Sequence, residues 1–224
     1  MKMSSCSNFY LFSGVNGDIN LLFTIYNNLR SMLEARNYNV EKDMKEYTDV
    51  ESFRKQFKNK DVPDVSILKF TTSKKDDSKD KLGIYWNDDE KIGTKALKGY
   101  MDDMIKKNIK RGICILKYTM STFAKHTIDE FNHNTSNMYF ETFDYSELML
   151  NITKHILVPK HVVLSKPEVE ELMTKYNLKK ITQLPKIHRT DPITKYFGLL
   201  SGSVVKVMRI NQVGSIYLTY RIVI

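Results

Sequence analysis

A strand-like run, an amphipathic stretch and a second strand-like run follow one another between residues 82 and 118. Residues 82–86 and 113–118 are short and apolar, as buried strands are. Between them, apolar side chains recur every three or four positions over residues 96–109, which predicts a helix, and Gly112 is placed to end it. Consecutive strands that are joined by a helix pair in parallel through a right-handed crossover. This order predicts an α/β fold.

Four other segments complete the prediction for the first part of the chain. Asp18 opens a stretch whose apolar residues keep helical spacing as far as Asn37. Residues 64–70 and 138–143 have the composition of further strands, whereas residues 73–81 lack apolar side chains and predict a solvated loop. The expected architecture is an α/β domain with a mostly parallel sheet and flanking helices.

The last third of the chain differs from the rest in charge and in proline content. Residues 151–224 carry 12 Lys/Arg and four Asp/Glu, which is a net +8 of the chain's +9. Four of the five prolines also lie there. Both changes favour a boundary near residues 145–155. We predict an N-terminal tail over 1–17, a first domain over 18–148 and a second domain over 149–224.

Local signals predict a small α+β fold for the second domain. Ser165 and Glu168 form a capping box ahead of a helix, and Asp191 followed by Pro192 is typical of another helix start. Residues 204–210 and 217–223 are rich in β-branched and aromatic side chains around Gly214, which predicts an antiparallel pair of strands.

The excess of basic residues limits the possible partners without choosing one. A net charge of +9 is compatible with nucleic acid, an acidic protein or an anionic membrane. The basic residues of the last third are scattered along the sequence, so we favour an acidic protein partner for that segment. Nucleic acid is the alternative, with Tyr176, Tyr196, Tyr217 and Tyr220 available for stacking on bases.

Cysteine content and hydropathy favour the interior of the cell. Cys6 and Cys114 are the two cysteines of the sequence, which argues against a disulfide framework or a structural zinc site. No segment approaches the roughly 18 consecutive apolar residues of a membrane span, and the N-terminus lacks the apolar core of a signal peptide. We expect an intracellular protein without membrane association.

Two groups of residues resemble catalytic or metal sites, and each has a simpler explanation. Asp64, Asp89 and Lys91 have the outline of a Mg²⁺-dependent nuclease, but Asp89 and Lys91 lie in a turn-like acidic cluster rather than on a strand. His155 and His161 are six residues apart, which does not place a metal-binding pair on one helical face. We predict no catalytic residue, no metal site and no cofactor, with a nuclease and a free-standing nucleic-acid-binding protein as alternatives.

The last third also contains a long, ordered and nearly gapless set of motif residues. They are Asn151-Ile152-Thr153, His155, Leu157-Val158-Pro159-Lys160-His161, Leu164-Ser165, Tyr176, Gln183-Leu184-Pro185-Lys186-Ile187, Asp191-Pro192, Tyr196, Gly198-Leu199, Gly202, Val204-Val205-Lys206, Arg209, Tyr217 and Tyr220-Arg221. This set closely resembles the shared fifth subunit of eukaryotic DNA-directed RNA polymerases, whose C-terminal domain matches a small subunit of archaeal RNA polymerases. Weaker similarity through residues 29–40, 51–53, 93–95 and 111–113 extends the resemblance to about residues 20–224.

The resemblance implies a non-catalytic polymerase subunit that works in the nucleus, or in a cytoplasmic viral factory or virion if a virus encodes it. In the family, the C-terminal domain anchors on the largest subunit and the N-terminal domain forms part of the lower jaw that grips downstream DNA. The implied partners are the largest and other polymerase subunits and downstream duplex DNA, with no membrane and no small-molecule substrate. The polymerase-docking candidates are His155, Pro159, His161, Pro185, Asp191, Pro192, Lys206, Arg209, Tyr220 and Arg221. The downstream-DNA candidates are Lys117, Ser121, Thr122 and Lys125, where the lysines flank an expected turn at residues 121–124.

Three departures from the family pattern indicate a divergent lineage, a protist or a large DNA virus. The segment Asn211-Gln212-Val213-Gly214-Ser215-Ile216 lacks the acidic and the basic side chain that the family carries there. The family's Thr-Pro-x-Ala turn is replaced by Ser121-Thr122-Phe123-Ala124, which loses the proline. One residue is added between Tyr176 and Gln183.

Overall fold

Two four-stranded sheets organise the part of the chain that the structure describes. The computed structural model describes residues 15–57, 64–90, 92–135, 137–210 and 214–224, with the side chains of residues 15–17 excepted. The chain divides into two units, residues 1–150 and 151–224, each of which contains one of the sheets. Within the described residues, no helix combines the length and the hydropathy needed to cross a lipid bilayer.

The first unit combines helices with a mixed sheet. Its elements are α1 (Val15–Ala35), α2 (Val40–Asp43), α3 (Val50–Lys55), β1 (Phe70–Ser73), β2 (Lys81–Asn87), α4 (Thr94–Lys106), β3 (Arg111–Leu116), α5 (Thr122–Asn134), β4 (Tyr139–Asp144) and α6 (Tyr145–Leu148). The strand order is β1-β2-β3-β4. The β2–β3 and β3–β4 pairs are parallel, which confirms the parallel pairing expected across the helix of residues 96–109, whereas β1 pairs with β2 in the antiparallel sense.

The prediction of a strand at residues 64–70 is wrong for most of that segment. Residues Val65–Leu68 form a 3₁₀ turn, and β1 begins only at Phe70. The Asp64 carboxylate accepts hydrogen bonds from the Ser66 backbone N–H at 3.1 Å and the Ser66 hydroxyl at 2.6 Å. An aspartate that caps its own backbone in this way favours a turn over an extended strand, and strand-like composition does not reveal it.

The sequence pattern predicted that Gly112 ends the preceding helix, and this prediction is wrong. Helix α4 ends at Lys106, and Asn108 takes the left-handed conformation with φ of 52°. The N–H of Ile109 donates to the Met104 carbonyl at 2.9 Å, the closing bond of a Schellman motif. Gly112 lies inside β3 instead, where a Cβ atom would come within 2.7 Å of Phe140 Cδ2. Its role is therefore close packing.

Helix α5 occupies the segment where the sequence analysis expected a turn. The Ser121 hydroxyl caps the helix by accepting from the Ala124 N–H at 3.2 Å, so residues 121–124 are the helix start. Ala124 and Ile128 face the core beneath α5, where Cys114 lies as a free cysteine. Burial raises the pKa of the Cys114 thiol to about 12. Cys6 and the rest of residues 1–14 lie outside the described residues.

A buried ion pair holds α1 against the opposite face of the sheet. Arg36, which follows α1, places Nη2 2.9 Å from Glu141 Oε2 on β4, and both side chains are more than nine-tenths buried. The Arg36 guanidinium also lies 5.8 Å from the centre of the Phe143 ring. Within α1 itself, the Asn28 amide donates to the carbonyls of Leu148 and Met149 at 2.8 and 2.9 Å, which fastens α6 to the helix.

The second unit is a small α+β fold. Its elements are β5 (Lys160–Val163), α7 (Lys166–Lys175), β6 (Lys186–Ile187), α8 (Pro192–Phe197), β7 (Val204–Ile210) and β8 (Ile216–Val223). The strand order is β5-β7-β8-β6, and the antiparallel β7–β8 pair confirms the sequence prediction. Both helix starts are also confirmed: Glu168 accepts from the Ser165 N–H and hydroxyl at 2.7 Å, and Asp191 accepts from the Ile193 N–H at 2.9 Å. The altered residues 211–213 lie outside the part that the structure describes.

Candidate functional site

The sheet of the second unit separates the docking candidates onto two faces. In an antiparallel pair, directly opposed residues project to the same side, and alternate residues of one strand share a face. His161 opposes Val207, and Val205 opposes Arg221, so His161, Arg209 and Arg221 share one face. Lys206 opposes Tyr220, and both lie on the other face.

The face that carries His161 combines buried core residues, Val205 and Val207, with the two arginines. The His161 Nδ1 donates to the Pro159 carbonyl at 2.6 Å, because a carbonyl oxygen only accepts. Burial lowers the pKa of His161 and the nearby Arg209 and Arg221 add to this, while the Pro159 bond and Asp191 oppose it. The histidine is therefore neutral at physiological pH, and the positive charge of this face comes from the two arginines.

The opposite face is covered in part by α7. The Tyr220 ring meets the Tyr176 ring edge-on at 5.9 Å, immediately after the last turn of α7. The hydrogen bonds from Ser165 are the largest cause that lowers the pKa of the Glu168 carboxyl group, and the charge of Lys206 adds to it. Tyr220 and Tyr176 therefore pack against each other, and Tyr176 remains 51% exposed.

Three docking candidates have clear roles in holding the fold. The Pro185 carbonyl accepts from the Ile222 N–H at 2.8 Å and extends the β6–β8 pairing. Asp191 caps α8, and Pro192 occupies the first turn of that helix. These contacts give Pro185, Asp191 and Pro192 structural roles in the fold that do not depend on docking.

His155 and Pro159 belong to an exposed loop before β5. His155 Nδ1 accepts from the Leu157 N–H at 3.2 Å, which folds the loop into a tight turn. Ile156 and Leu157 between them are 94% and 82% exposed. The sequence analysis named Leu157 only as part of the family motif and did not predict that these two aliphatic side chains are exposed; their position outside any predicted strand or helix is a usable signal.

A second set of exposed apolar residues lies at the end of the β7–β8 hairpin. Ile210 is 73% exposed and opposes Ile216, which is 67% exposed. Lys160 at the start of β5 opposes Met208 near the end of β7. Because β5 and β7 run in opposite directions, the loop before Lys160 and the residues after Met208 lie at the same end of the sheet. We call Ile156, Leu157, Ile210 and Ile216 the apolar end of the second unit.

The downstream-DNA candidates lie around the N-terminus of α5. Ser121 is its cap, and Thr122 and Lys125 are exposed in its first turn. Lys117 follows β3, and its Nζ lies 3.6 Å from Asp18 Oδ2, so its charge is partly balanced within the unit. Phe123 beside them is 80% exposed and was missed by the sequence analysis.

The residues of the nuclease alternative have local structural partners. Asp64 caps the 3₁₀ turn, as described above, and Asp89 accepts from the Asn87 side-chain amide at 2.9 Å. Lys91 lies outside the described residues. Over the described ranges, no three or more His, Cys, Asp or Glu side chains are grouped as metal ligands would be.

Comparison with known proteins matches both ends of the chain to one family. The N-terminal domain of RNA polymerase Rpb5 matches residues 16–104, and the C-terminal domain of RNA polymerase Rpb5 matches residues 150–223. The DNA-directed RNA polymerases I, II, and III subunit rpabc1 of Dictyostelium discoideum is 35% identical over 205 residues, which cover 92% of this chain and 98% of the relative. The subunit RPABC1 of Caenorhabditis elegans is 35% identical over 206 residues, which cover 91% and 95% of the two chains. The chain belongs to the Rpb5 family of RNA polymerase subunits.

Proposed function

We propose that this chain is a non-catalytic subunit of a nuclear, multisubunit DNA-directed RNA polymerase, in which its second unit docks on the largest subunit and its first unit lies beside downstream DNA. The observation that carries the proposal is the match of both Rpb5 domains to one chain, together with 35% identity to polymerase subunits over nearly their whole length. Catalysis and the metal ions that it requires then belong to other subunits.

The apolar end of the second unit supports docking through that unit. Ile156, Leu157, Ile210 and Ile216 are all more than 60% exposed at one end of a small sheet. A cluster of exposed aliphatic side chains is typical of a surface that a protein partner covers. The arginines on the His161 face add positive charge, which favours an acidic surface on the partner.

A double substitution tests the docking proposal. Changing Ile156 and Leu157 to Asp places two charges where the proposed interface excludes water, so recovery of the largest subunit with a tagged chain should fall at least about tenfold. The matched control is the same change at Ile67 and Ile105, which are 46% and 52% exposed in the first unit. Equal recovery with both double variants would contradict docking through this loop.

The start of α5 supports a DNA contact by the first unit. Helix α5 spans 13 residues, and its N-terminus carries a partial positive charge that favours a phosphate. Lys125 and Thr122 are exposed there and add a cation and a hydroxyl. The first 150 residues carry a net charge of only +1, so a DNA contact of this unit depends on such local groups rather than on overall charge.

Charge reversal at Lys125 tests the DNA contact in the assembled enzyme. Lys125→Glu should reduce crosslinking of this subunit to downstream DNA several-fold and leave polymerase assembly intact. Lys98→Glu, at an exposed position of α4, is the control for net charge. Crosslinking that is the same in both variants would show that the start of α5 does not meet the DNA.

A further inference from the structure

The last strand of the first sheet has an outer edge that no described strand covers. Among the described residues, β4 pairs with β3 alone and lies at the end of the strand order. The N–H of Tyr139 donates to the Lys110 carbonyl at 2.8 Å, on the side of β3. Successive residues of a strand direct their N–H and C=O groups to opposite sides, so the residues whose groups point outward are Phe140, Thr142 and Asp144.

The composition of β4 makes this edge prone to pair with another strand. Its sequence, YFETFD, is rich in aromatic and β-branched residues, which favour strands. The charged residue in its middle, Glu141, is buried against Arg36 and does not repel an approaching strand. An edge whose outward backbone groups are unpaired is a template to which a further chain adds. The outward groups of β4 therefore need a partner within the protein.

The side chain of Asn132, in the last turn of α5, occupies both outward groups of Phe140. Its Oδ1 accepts from the Phe140 N–H at 2.7 Å, and its Nδ2 donates to the Phe140 carbonyl at 3.0 Å. A primary amide carries one acceptor and two donors, so it makes the same two bonds that a residue of an added antiparallel strand would make. Asn132 therefore takes the place of a neighbouring strand at this position.

The start of α6 closes the edge at its other end. Glu147 Oε2 accepts from the Asp144 N–H at 3.0 Å, as part of the capping box of α6. Between the two closed positions, the N–H and C=O of Thr142 have no partner among the described residues. A single residue offers one donor and one acceptor, and the small net stabilisation from two hydrogen bonds does not hold an added strand.

We propose that Asn132, together with the capping box of α6, prevents two copies of this chain from joining their first sheets through β4. Every copy brings the same edge, and its outward residues are spaced evenly about Thr142. Two antiparallel β4 strands with a two-fold axis at Thr142 would pair Phe140 of one copy with Asp144 of the other. Those are the positions that Asn132 and Glu147 hold. This protection acts on the free chain and is independent of the polymerase assignment.

Substitution of Asn132, with a matched control on the same helix, tests the proposal. Asn132→Ala frees both outward groups of Phe140, whereas Asn134→Ala removes an exposed amide near the end of α5. In sedimentation of the full chain over a range of concentrations, the dimer dissociation constant of Asn132→Ala should be at least about tenfold lower than that of Asn134→Ala. The Thr142 N–H should become protected from hydrogen exchange as the Asn132→Ala dimer forms.

A second substitution distinguishes edge pairing from association of a partly unfolded chain. Thr142→Pro removes the outward N–H at the centre of the edge without removing a bond to β3, and an edge strand tolerates proline at such a position. Asn132→Ala combined with Thr142→Pro should therefore sediment as a monomer. Association through core residues exposed by unfolding would persist in this double variant.

The unsubstituted chain supplies an independent measurement, which does not depend on the folding of any variant. Because Asn132 bonds the Phe140 N–H, that group should exchange with solvent at least about tenfold more slowly than the Thr142 N–H on the same edge.

Three results would overturn the proposal. They are equal exchange of the Phe140 and Thr142 N–H groups, an Asn132→Ala variant that associates no more tightly than Asn134→Ala, and association that persists when Thr142→Pro is added. None of these outcomes bears on the co-purification test, so failure of this inference and failure of the polymerase assignment are distinguishable.

Discussion

Removing the carboxylate of the buried Arg36–Glu141 pair should strongly destabilise the first unit. The pair is 2.9 Å long, and its side chains are 2% and 8% exposed. Glu141→Gln keeps the size of the side chain but leaves the Arg36 charge buried without its opposite charge. Breaking a pair this well buried costs about 3–5 kcal/mol. A domain of this kind is stable by only about 5–15 kcal/mol, so the loss is a large fraction of the total.

Urea unfolding followed by Trp86 emission measures this loss within the first unit. With a slope of about 2 kcal/mol per molar urea, the expected decrease in the midpoint is about 2 M. The matched control is Glu34→Gln, which breaks the more exposed Arg30–Glu34 pair of α1. That pair is worth at most about 0.5 kcal/mol, so its midpoint should hardly move.

A double variant separates the charge from the packing at this position. Replacing Arg36 with Met and Glu141 with Leu removes both charges and keeps side chains of similar volume, so it should recover most of the stability that Glu141→Gln loses. The reasoning is refuted if Glu141→Gln is no less stable than Glu34→Gln, or if the double variant is as unstable as Glu141→Gln.

Two further predictions concern packing and pH. Gly112→Ala should lower the free energy of unfolding by about 1–3 kcal/mol, because the added Cβ meets Phe140 and Met104, and an unchanged urea midpoint would contradict this. Burial is the largest cause that raises the pKa of Tyr26 from 10.0 to about 12, so the unfolded chain loses its proton first and stability should fall between pH 10 and pH 12. Tyr26→Phe should reduce that fall in thermal melts, and the same pH dependence in both proteins would argue against it.

Local sequence patterns were sufficient wherever neighbouring residues decide the structure. The spacing around residues 82–118 predicted the strand, helix and parallel strand, and Ser165 with Glu168 predicted the start of α7. They failed where a side chain bonds to its own backbone or where packing sets the outcome. Asp64 caps a 3₁₀ turn where a strand was expected. Gly112 allows close packing against Phe140 and does not end a helix.

The same distinction between local patterns and tertiary contacts applies to the candidate site residues. The sequence named His161, Arg209 and Lys206 together, but the pairing register of β5 and β7 places the first two on one face and Lys206 on the other. It named Lys117 as a DNA contact, and the structure brings the Lys117 ammonium near Asp18, a residue 99 positions earlier in the sequence. Pairing register and contacts of this separation depend on the whole sheet, so no local pattern carries them.

The sequence by itself determined the family, the uneven distribution of charge and the elements that follow from helical and strand periodicity. These properties depend on residue type and on spacings of a few positions, which a linear chain displays directly. Only the tertiary structure decided which apolar side chains stay exposed at one end of the second unit. It also decided that Asp88, Lys117 and Tyr145, which follow β2, β3 and β4, line one small pocket. The physical reason is that the exposure of a side chain, and its distance from residues far away in the sequence, depend on which segments cover one another. Those contacts form only when the strands have paired and the helices have packed on the sheets.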